Sequence, residues 1–221
     1  MDRTGVAGIA KDGGTMDHVY LEDLYIHDID GNLQDKHMDN GGIQFNVSKP
    51  TDESKTGIAR YNDVKITNCY VKDVKRAGIV VGYTYQHSKF NGAQIADETV
   101  QKYGHTNIYI ADNYVQNSGN DAIVAMYAYR PVIERNISDT AGVDLDDGYA
   151  GYWQSFCATI WPWKTKDAVF QYNEAFDTVG EGNGDGQAWD IDWSDGTVYQ
   201  YNYSHNNGGG SMLICRSEEH T

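Results

Sequence analysis

A repeated strand pattern runs along almost the whole chain. In six aligned ten-residue segments, apolar and polar residues alternate with a period of two, which indicates half-buried strands rather than helices. The segments are 19–28, 64–73, 108–117, 131–140, 168–177 and 197–206. A repeat of this kind constrains the fold strongly, because each unit must bury its apolar face against its neighbours in the chain.

A second, shorter apolar strand follows each of these segments. These strands are 42–45, 78–81, 122–125, 158–161, 188–191 and 211–214. In three repeats the second strand begins five positions after the first segment ends, and the other three repeats carry insertions at that same corner. A strand–turn–strand unit that varies by insertion at one corner predicts an all-β solenoid with parallel strands, in which inward side chains form continuous apolar columns.

One column of the repeat indicates how the corners are made. It reads Leu24, Cys69, Asn113, Asn136, Asn173 and Asn202. Asparagine tolerates a positive φ angle at a tight corner, and stacked asparagine side chains can form hydrogen bonds from one turn to the next. The 24 glycines of the chain fit the same requirement for tight turns.

The charge balance excludes several classes of partner. The chain has 17 Lys and Arg against 32 Asp and Glu, for a net charge of −15, which argues against binding to the phosphates of DNA or RNA. No apolar stretch reaches the length of a membrane span. The cysteines Cys69, Cys157 and Cys215 are widely spaced and form no CxxC motif, so we interpret them as buried thiols.

Over roughly residues 18–215 the repeat resembles the right-handed parallel β-helix of the pectin-lyase-like superfamily. The resemblance implies an all-β, right-handed parallel β-helix of about six coils that is truncated at its C-terminus. Residues 1–17 are then expected to be an incomplete N-terminal lead-in. Residues 216–221 match the translation of a sequencing adapter, so we expect them to be a non-native tail.

Alternation assigns the faces of the second strands and singles out Asp190 and Asp192. The residues assigned inward are Ile43, Phe45, Ile79, Val81, Ile123, Ala125, Trp189, Ile191, Met212 and Ile214, with Trp161 and Trp193 also interpreted as core. The outward residues of the middle coils are mostly apolar or small, including Val80, Val124, Ile160 and Pro162. Asp190 and Asp192 therefore stand out as two carboxylates on one face of one strand.

Two carboxylates at positions i and i+2 of a strand lie about 6.6 Å apart. The acid and base of an inverting glycosidase are separated by roughly 6.5–9.5 Å. Crowding beside Trp189 and Trp193 would raise the pKa of one carboxyl and make it a proton donor. Three interpretations remain open for Asp190 and Asp192: a catalytic pair, a Ca²⁺ site, or a solvated edge of the sheet.

Two acidic, glycine-rich segments, 143–153 and 180–187, occupy the corner next to this face. The second segment contributes Glu181 and Asp185 as assisting carboxylates. The first contributes Asp144, Asp146 and Asp147 as candidate ligands for Ca²⁺, a cation that prefers oxygen ligands. Sugar contacts are assigned to Trp153, Tyr149, Tyr152, Gln44 and Lys164.

Members of the superfamily are mostly extracellular enzymes that cleave polysaccharides. The resemblance therefore implies a bacterial glycoside hydrolase, secreted or at the cell surface or periplasm, which acts on a polysaccharide or oligosaccharide. It is expected to be monomeric, to need no cofactor and to have no membrane span. One alternative is a Ca²⁺-assisted polysaccharide lyase with Lys164 as the base. The other is a non-catalytic glycan-binding module or adhesin.

Overall fold

The computed structural model describes residues 3–31, 40–92, 94–143, 157–180 and 185–215. Within these ranges the chain forms three sheets. Sheet A contains β1 (Thr4–Ala10), β4 (Gly41–Val47), β7 (Ala77–Thr84), β10 (Ile123–Met126), β14 (Ala158–Trp163), β17 (Gln187–Asp192) and β20 (Met212–Cys215). Sheet B contains β2 (Thr15–Glu22), β5 (Arg60–Thr67), β8 (His105–Ala111), β11 (Ala128–Tyr129), β12 (Val132–Glu134), β15 (Val169–Gln171) and β18 (Val198–Gln200). Sheet C contains β3 (Tyr25–Ile29), β6 (Tyr70–Val74), β9 (Tyr114–Ser118), β13 (Ile137–Ala141), β16 (Glu174–Phe176) and β19 (Tyr203–His205).

The described strands pair in parallel, each with the equivalent strand of the next passage of the chain. The order in sheet A is β1-β4-β7-β10-β14-β17-β20, and the chain passes through sheets B, C and A in turn. We call one such passage a rung. The helices are short: α1 (Glu53–Thr56), α2 (Asp97–Tyr103) and one 3-10 turn (His87–Phe90). The predicted all-β class with parallel strands is confirmed, and no helix in the described ranges is long and apolar enough to cross a membrane.

Each ten-residue repeat contains two strands rather than one. In segment 64–73 the chain leaves β5, turns at Asn68 and enters β6; Asn68 has a φ of 55°. Asp112 makes the same turn one rung later with a φ of 58°. The left-handed residue redirects the chain between sheets B and C while the apolar alternation continues on both sides. The alternation alone therefore predicted one strand where the structure has two.

Strand β1 lies inside residues 1–17, which the sequence analysis assigned to a lead-in. It pairs with β4 in parallel, with Gly8 opposite Phe45. A Cβ atom at Gly8 would lie 2.1 Å from the Phe45 ring, so the strand needs glycine at this close approach. Because β1 consists largely of glycines and short apolar residues, the alternation of apolar and polar residues did not predict it.

The asparagine column forms the predicted ladder at the corner between sheets B and C. Asn113 Nδ2 donates to Asn136 Oδ1 at 2.9 Å, and Asn136 Nδ2 donates to Asn173 Oδ1 at 3.0 Å. The ladder continues from Asn173 Nδ2 to Asn202 Oδ1 at 3.0 Å. The same oxygens accept backbone N–H groups, as Asn136 Oδ1 does from Asn113 at 3.0 Å. These buried amides satisfy corner donors and acceptors that the sheets leave unpaired.

The interior between the three sheets holds one apolar core, and the predicted inward residues Ile43, Phe45, Ile79, Val81 and Trp189 are part of it. The predicted phase of β14 was wrong. Ile160 pairs with Ile123 and Trp189 and lies in the core, so it is inward rather than outward. Pro162 has the same parity, and Trp161 with Trp163 occupies the outward face. Alternation could not show this, because it does not fix where a short strand starts. The three cysteines are buried.

A second apolar cluster lies outside sheet A. Residues 85–104, which we call the cover segment, contain the 3-10 turn and α2. Phe90, Ile95 and Val100 of the cover segment are buried together with Val80 and Val124 of the outward face. The middle rungs of sheet A therefore carry apolar outward residues because this segment packs on them.

Candidate active site

The candidate site lies on the outward face of sheet A at strands β14 and β17. Trp163 is opposite Asp192 in the parallel pairing, and by the same register Trp161 is opposite Asp190. Neighbouring strands lie about 4.8 Å apart, so each carboxylate has an indole ring on the adjacent strand. The predicted pairing of Asp190 and Asp192 on one face agrees with this arrangement.

Asp190 is a buried carboxyl with an altered acidity. Its side chain is 8% exposed, and its Oδ1 has no hydrogen-bond partner among the described residues. Burial raises the pKa of Asp190 to about 8, and the negative charges of Asp192, Asp185 and Asp121 add to the shift. At pH 7 this carboxyl is therefore largely protonated. A neutral carboxylic acid can donate a proton to a leaving group.

Asp192 and Asp185 complete the group of carboxylates. Asp192 is half-buried at the end of β17, and Asp185 lies just before the start of that strand. Gln187 Nε2 is 3.5 Å from Asp185 Oδ1, at the limit of a hydrogen bond. The structure thus brings three of the predicted carboxylates, Asp185, Asp190 and Asp192, into electrostatic contact. Asp192 is the more accessible of the two strand carboxylates and is placed to act as a base or nucleophile.

Asp121 is a fourth carboxylate that the sequence reasoning missed. It lies just before β10 and is 2% exposed. Its Oδ1 accepts hydrogen bonds from Trp161 Nε1 at 3.0 Å and from the Ala158 backbone N–H at 3.1 Å. Burial raises the pKa of Asp121 to about 6, and the positive charge of Arg76 opposes that shift. The sequence does single out Asp121 in one way, because the residues at the equivalent position of the neighbouring rungs are the small Ala77 and Ala158.

Gln44 lies on the same face but in another part of it. It is 2% exposed, and its Nε2 donates to the Asn40 carbonyl oxygen at 2.9 Å. Strands β7, β10 and β14 separate β4 from β17, so four strand spacings, about 19 Å, lie between Gln44 and Asp190. The structure does not bring Gln44 next to the carboxylates.

Lys164 follows β14 and faces the cover segment. Its Nζ donates to the Phe90 carbonyl oxygen at 3.2 Å and lies 4.3 Å from the centre of the Trp193 ring. These contacts connect the cover segment to the rungs that carry the candidate site.

The remaining predicted site residues lie outside the described residues. They are Glu181, Trp153, Tyr149, Tyr152, Asp144, Asp146 and Asp147. Across the described ranges, no group of three or more His, Cys, Asp or Glu side chains is arranged to hold a metal ion.

Comparison with known proteins identifies lacto-N-biosidases among the proteins similar to this chain. No protein-family model matches the chain. The chain is 47% identical over 233 aligned residues to the lacto-N-biosidase of Bifidobacterium longum subsp. longum. Two crystal structures of the GH136 lacto-N-biosidase from Eubacterium ramulus, native and selenomethionine, match it with a TM-score of 0.90. Sequence identity to them is 48% and 49%, respectively.

The similarity covers nearly all of this chain but a minor part of each relative. The alignments include 97% of the chain in the comparison with the Bifidobacterium enzyme and 98% in those with the Eubacterium structures. The chain spans 15% of the length of the first protein and 35% of the second. The shared region includes the three parallel sheets and the strand that carries Asp190 and Asp192.

Proposed function

We propose that this chain forms the carboxylate-bearing part of a glycoside hydrolase of the lacto-N-biosidase kind. The observation that carries the proposal is the pair Asp190 and Asp192 on the outward face of sheet A at β17, with Asp190 buried enough to hold a proton at neutral pH. The similarity to lacto-N-biosidases supports the same class. We also propose that the three sheets wind as a right-handed parallel β-helix of the pectin-lyase-like type, which the recurring sheet order supports.

In the proposed reaction Asp190 donates its proton to the glycosidic oxygen as the bond breaks. Asp192, beside it on β17, acts as the base that activates water or as the nucleophile at the sugar carbon. Asp185 assists through its charge, which favours the protonated form of Asp190. The two carboxyls supply every proton transfer, so the reaction as proposed requires no cofactor.

The substrate proposed is an oligosaccharide that contains lacto-N-biose. Trp161 and Trp163 lie beside the two carboxylates, where an indole face can pack against the apolar face of a sugar ring. A glycan substrate also fits the expectation that the protein is secreted or located at the cell surface, acting as a monomer.

The lyase alternative has less support in the structure. Its proposed base, Lys164, donates a hydrogen bond to the Phe90 carbonyl oxygen and rests over Trp193. An ammonium held in this way is a poor acceptor for a proton from a uronate. The hydrolase is therefore the function that the geometry supports best.

The test is hydrolysis of a nitrophenyl glycoside of lacto-N-biose by the full-length protein and its Asp190→Asn, Asp192→Asn and Asp185→Asn variants. General acid–base groups contribute about 10²–10⁴-fold to rate, so we expect losses of that size for the first two variants. We expect a smaller loss for Asp185→Asn, because its role is electrostatic.

The matched control is Asp112→Asn, which removes an exposed carboxylate that pairs with Arg135 at 2.7 Å on the far side of the fold. It should retain wild-type activity. Hydrolysis at the wild-type rate by both Asp190→Asn and Asp192→Asn would exclude these residues as the acid and base. Unsaturated products from the wild type would establish a lyase instead, and binding without turnover would establish a glycan-binding module.

A further inference from the structure

Asp121 is a buried carboxylate whose presence the core does not explain. It occupies a corner position of sheet A that the neighbouring rungs fill with Ala77 and Ala158. A carboxylate removed from water is unfavourable unless other groups stabilise it. Because alanine occupies the same position in both neighbouring rungs, folding of the sheet does not require an acid there.

The hydrogen bonds of Asp121 cross to the next rung and reach the candidate site. Asp121 Oδ1 accepts from Trp161 Nε1 and from the Ala158 backbone, both on or at the start of β14. Trp161 is then adjacent to Asp190 on β17 by register. The indole of Trp161 is thus held at its N–H by Asp121 on one side and lies beside Asp190 on the other.

Trp161 is 9% exposed and packs with Val124 and the cover segment. Its indole N–H is satisfied, in contrast to that of Trp163, whose Nε1 has no hydrogen-bond partner within the described part of the chain. One of the two site tryptophans is therefore fixed by a charged acceptor and the other is not.

We propose that Asp121 is a positioning residue that holds the Trp161 indole in one orientation beside Asp190, where the indole forms a rigid wall against that carboxyl. The proposal rests on the proposed hydrolase function. Hydrogen bonds to charged groups are stronger than neutral ones and fix orientation as well as position. A rigid wall keeps the carboxyl that donates the proton in register with the sugar.

The charges around Asp121 are consistent with this role. Arg76 is positive and favours the ionised form of Asp121, the better acceptor for the indole N–H. Asp185, Asp192 and the buried thiol of Cys157 are the other titratable groups of the cluster. The negative charge of Asp121 in turn helps to keep Asp190 protonated.

The test is a double-mutant cycle in the full-length protein with Asp121→Ala and Trp161→Phe, which lacks the indole N–H. We expect kcat/KM for the lacto-N-biose glycoside to fall about tenfold in Asp121→Ala, the effect of one hydrogen bond to a charged group. In the Trp161→Phe background, Asp121→Ala should cause no further loss beyond about twofold. A full tenfold loss in that background would overturn the proposal.

Two further variants make the test specific. Asp121→Asn keeps an oxygen acceptor for Trp161 and Ala158 but removes the charge. We expect kcat within about threefold of the wild type, and an alkaline limb of the pH profile that moves to lower pH. Trp163→Phe is the matched control for the cycle, and its effect should add to that of Asp121→Ala. A non-additive result with Trp163 would indicate a general structural role for Asp121 and contradict the proposal.

A readout without catalysis separates this proposal from the proposed function. In protein labelled with ¹⁵N-tryptophan, the Trp161 indole N–H should exchange slowly with solvent, and the exchange should accelerate about tenfold or more in Asp121→Ala. If Asp121→Ala does not fold, Asp121→Asn gives the comparison through the shift of the same resonance. Unchanged indole exchange in a folded Asp121→Ala variant would refute the positioning role, whatever the substrate proves to be.

Discussion

Val124 and Asp190 occupy equivalent places on the same face of sheet A and have opposite chemistry. Val124 on β10 lies opposite Trp161 on β14, and Trp161 lies opposite Asp190 on β17. Val124 is fully buried because the cover segment packs on it through residues such as Phe90 and Val100. Asp190 lies two strands further along the sheet, with a carboxyl oxygen that no described residue satisfies.

The outward face of sheet A thus has two parts of different chemistry on one continuous fold. The same parallel pairing and the same inward core continue through β10, β14 and β17. The covered part uses its outward side chains to bury apolar surface, and this stabilises the protein. The part of the face at β17 places carboxyls where burial raises the pKa of Asp190, which lowers stability and is typical of a site that performs chemistry.

The largest effect is expected when an acid is placed in the part of the face that the cover segment covers. Val124→Asp should reduce the free energy of unfolding by about 5 kcal/mol or more at pH 7, because a buried carboxyl without partners raises its pKa by several units. Urea unfolding monitored by circular dichroism measures this change. Val124→Thr is the matched control of the same shape, with an expected loss of about 1 to 2 kcal/mol.

The charge itself can be checked in Val124→Asp by lowering the pH. An Asp with a raised folded-state pKa destabilises the protein only above the unfolded-state pKa near 3.9. The difference in free energy of unfolding between Val124→Asp and Val124→Thr should therefore become smaller towards pH 4. If this difference stays constant from pH 4 to pH 7, the loss of stability comes from the shape of the Asp side chain and not from its charge.

Removing the acid of Asp190 on β17 should have the opposite effect on stability. The pKa of Asp190 is about 8 in the folded protein against a reference of 3.8, so the folded state binds more protons than the unfolded state between these values. Stability of the wild type therefore falls as pH rises through this window and levels off above pH 8. Asp190→Asn lacks this loss and should be more stable by about 3 to 4 kcal/mol at pH 7.

The measurement is urea unfolding of Asp190→Asn and wild type at pH values from 4 to 9. We expect the two free energies to converge near pH 4 and to separate as pH rises. A variant that gains stability while it loses hydrolysis would mark Asp190 as retained for activity. Parallel curves across the whole range would show that the carboxyl is not protonated in the folded protein.

The repeat predicted the parallel strands, the asparagine ladder and the face of Asp190 and Asp192, because each follows from local alternation or from a column in register. It did not predict which residues adopt left-handed conformations at the corners between sheets B and C. Non-glycine residues such as Arg135 and Tyr172 adopt left-handed conformations there, with φ values of 54° and 57°. Repetition of the rung stabilises those conformations, and a single segment carries no sign of them.

The site was only partly predictable for a related reason. Asp190 and Asp192 broke the apolar pattern of the outward face and were visible as an exception. Asp121 was not, because its contacts with Trp161 cross from one rung to the next. Trp161 was assigned to the core, since a strand shifted by one residue exchanges its faces. The cover segment has no strand period, so its packing on Val80 and Val124 appears only in three dimensions.

The smallest expected effect concerns the boundary between the two parts of the face. Lys164→Met removes the ammonium that donates to the Phe90 carbonyl oxygen and rests over Trp193, but keeps an apolar stem of similar length. We expect the cover segment to lose about 1 kcal/mol of local stability. Hydrogen exchange at the C-terminal end of α2, where the Gly104 N–H donates to the Val100 carbonyl oxygen, should accelerate about fivefold.

Lys89→Met is the matched control, because Lys89 stacks over Tyr103 at 5.5 Å within the cover segment itself and does not connect it to β14. It should leave the exchange of the Gly104 amide within about twofold of the wild type. Equally accelerated hydrogen exchange in both variants would mean that the loss of either ammonium group destabilises the cover segment. Acceleration confined to Lys164→Met would locate the boundary at the residue that follows β14, between the covered valines and the carboxylates of β17.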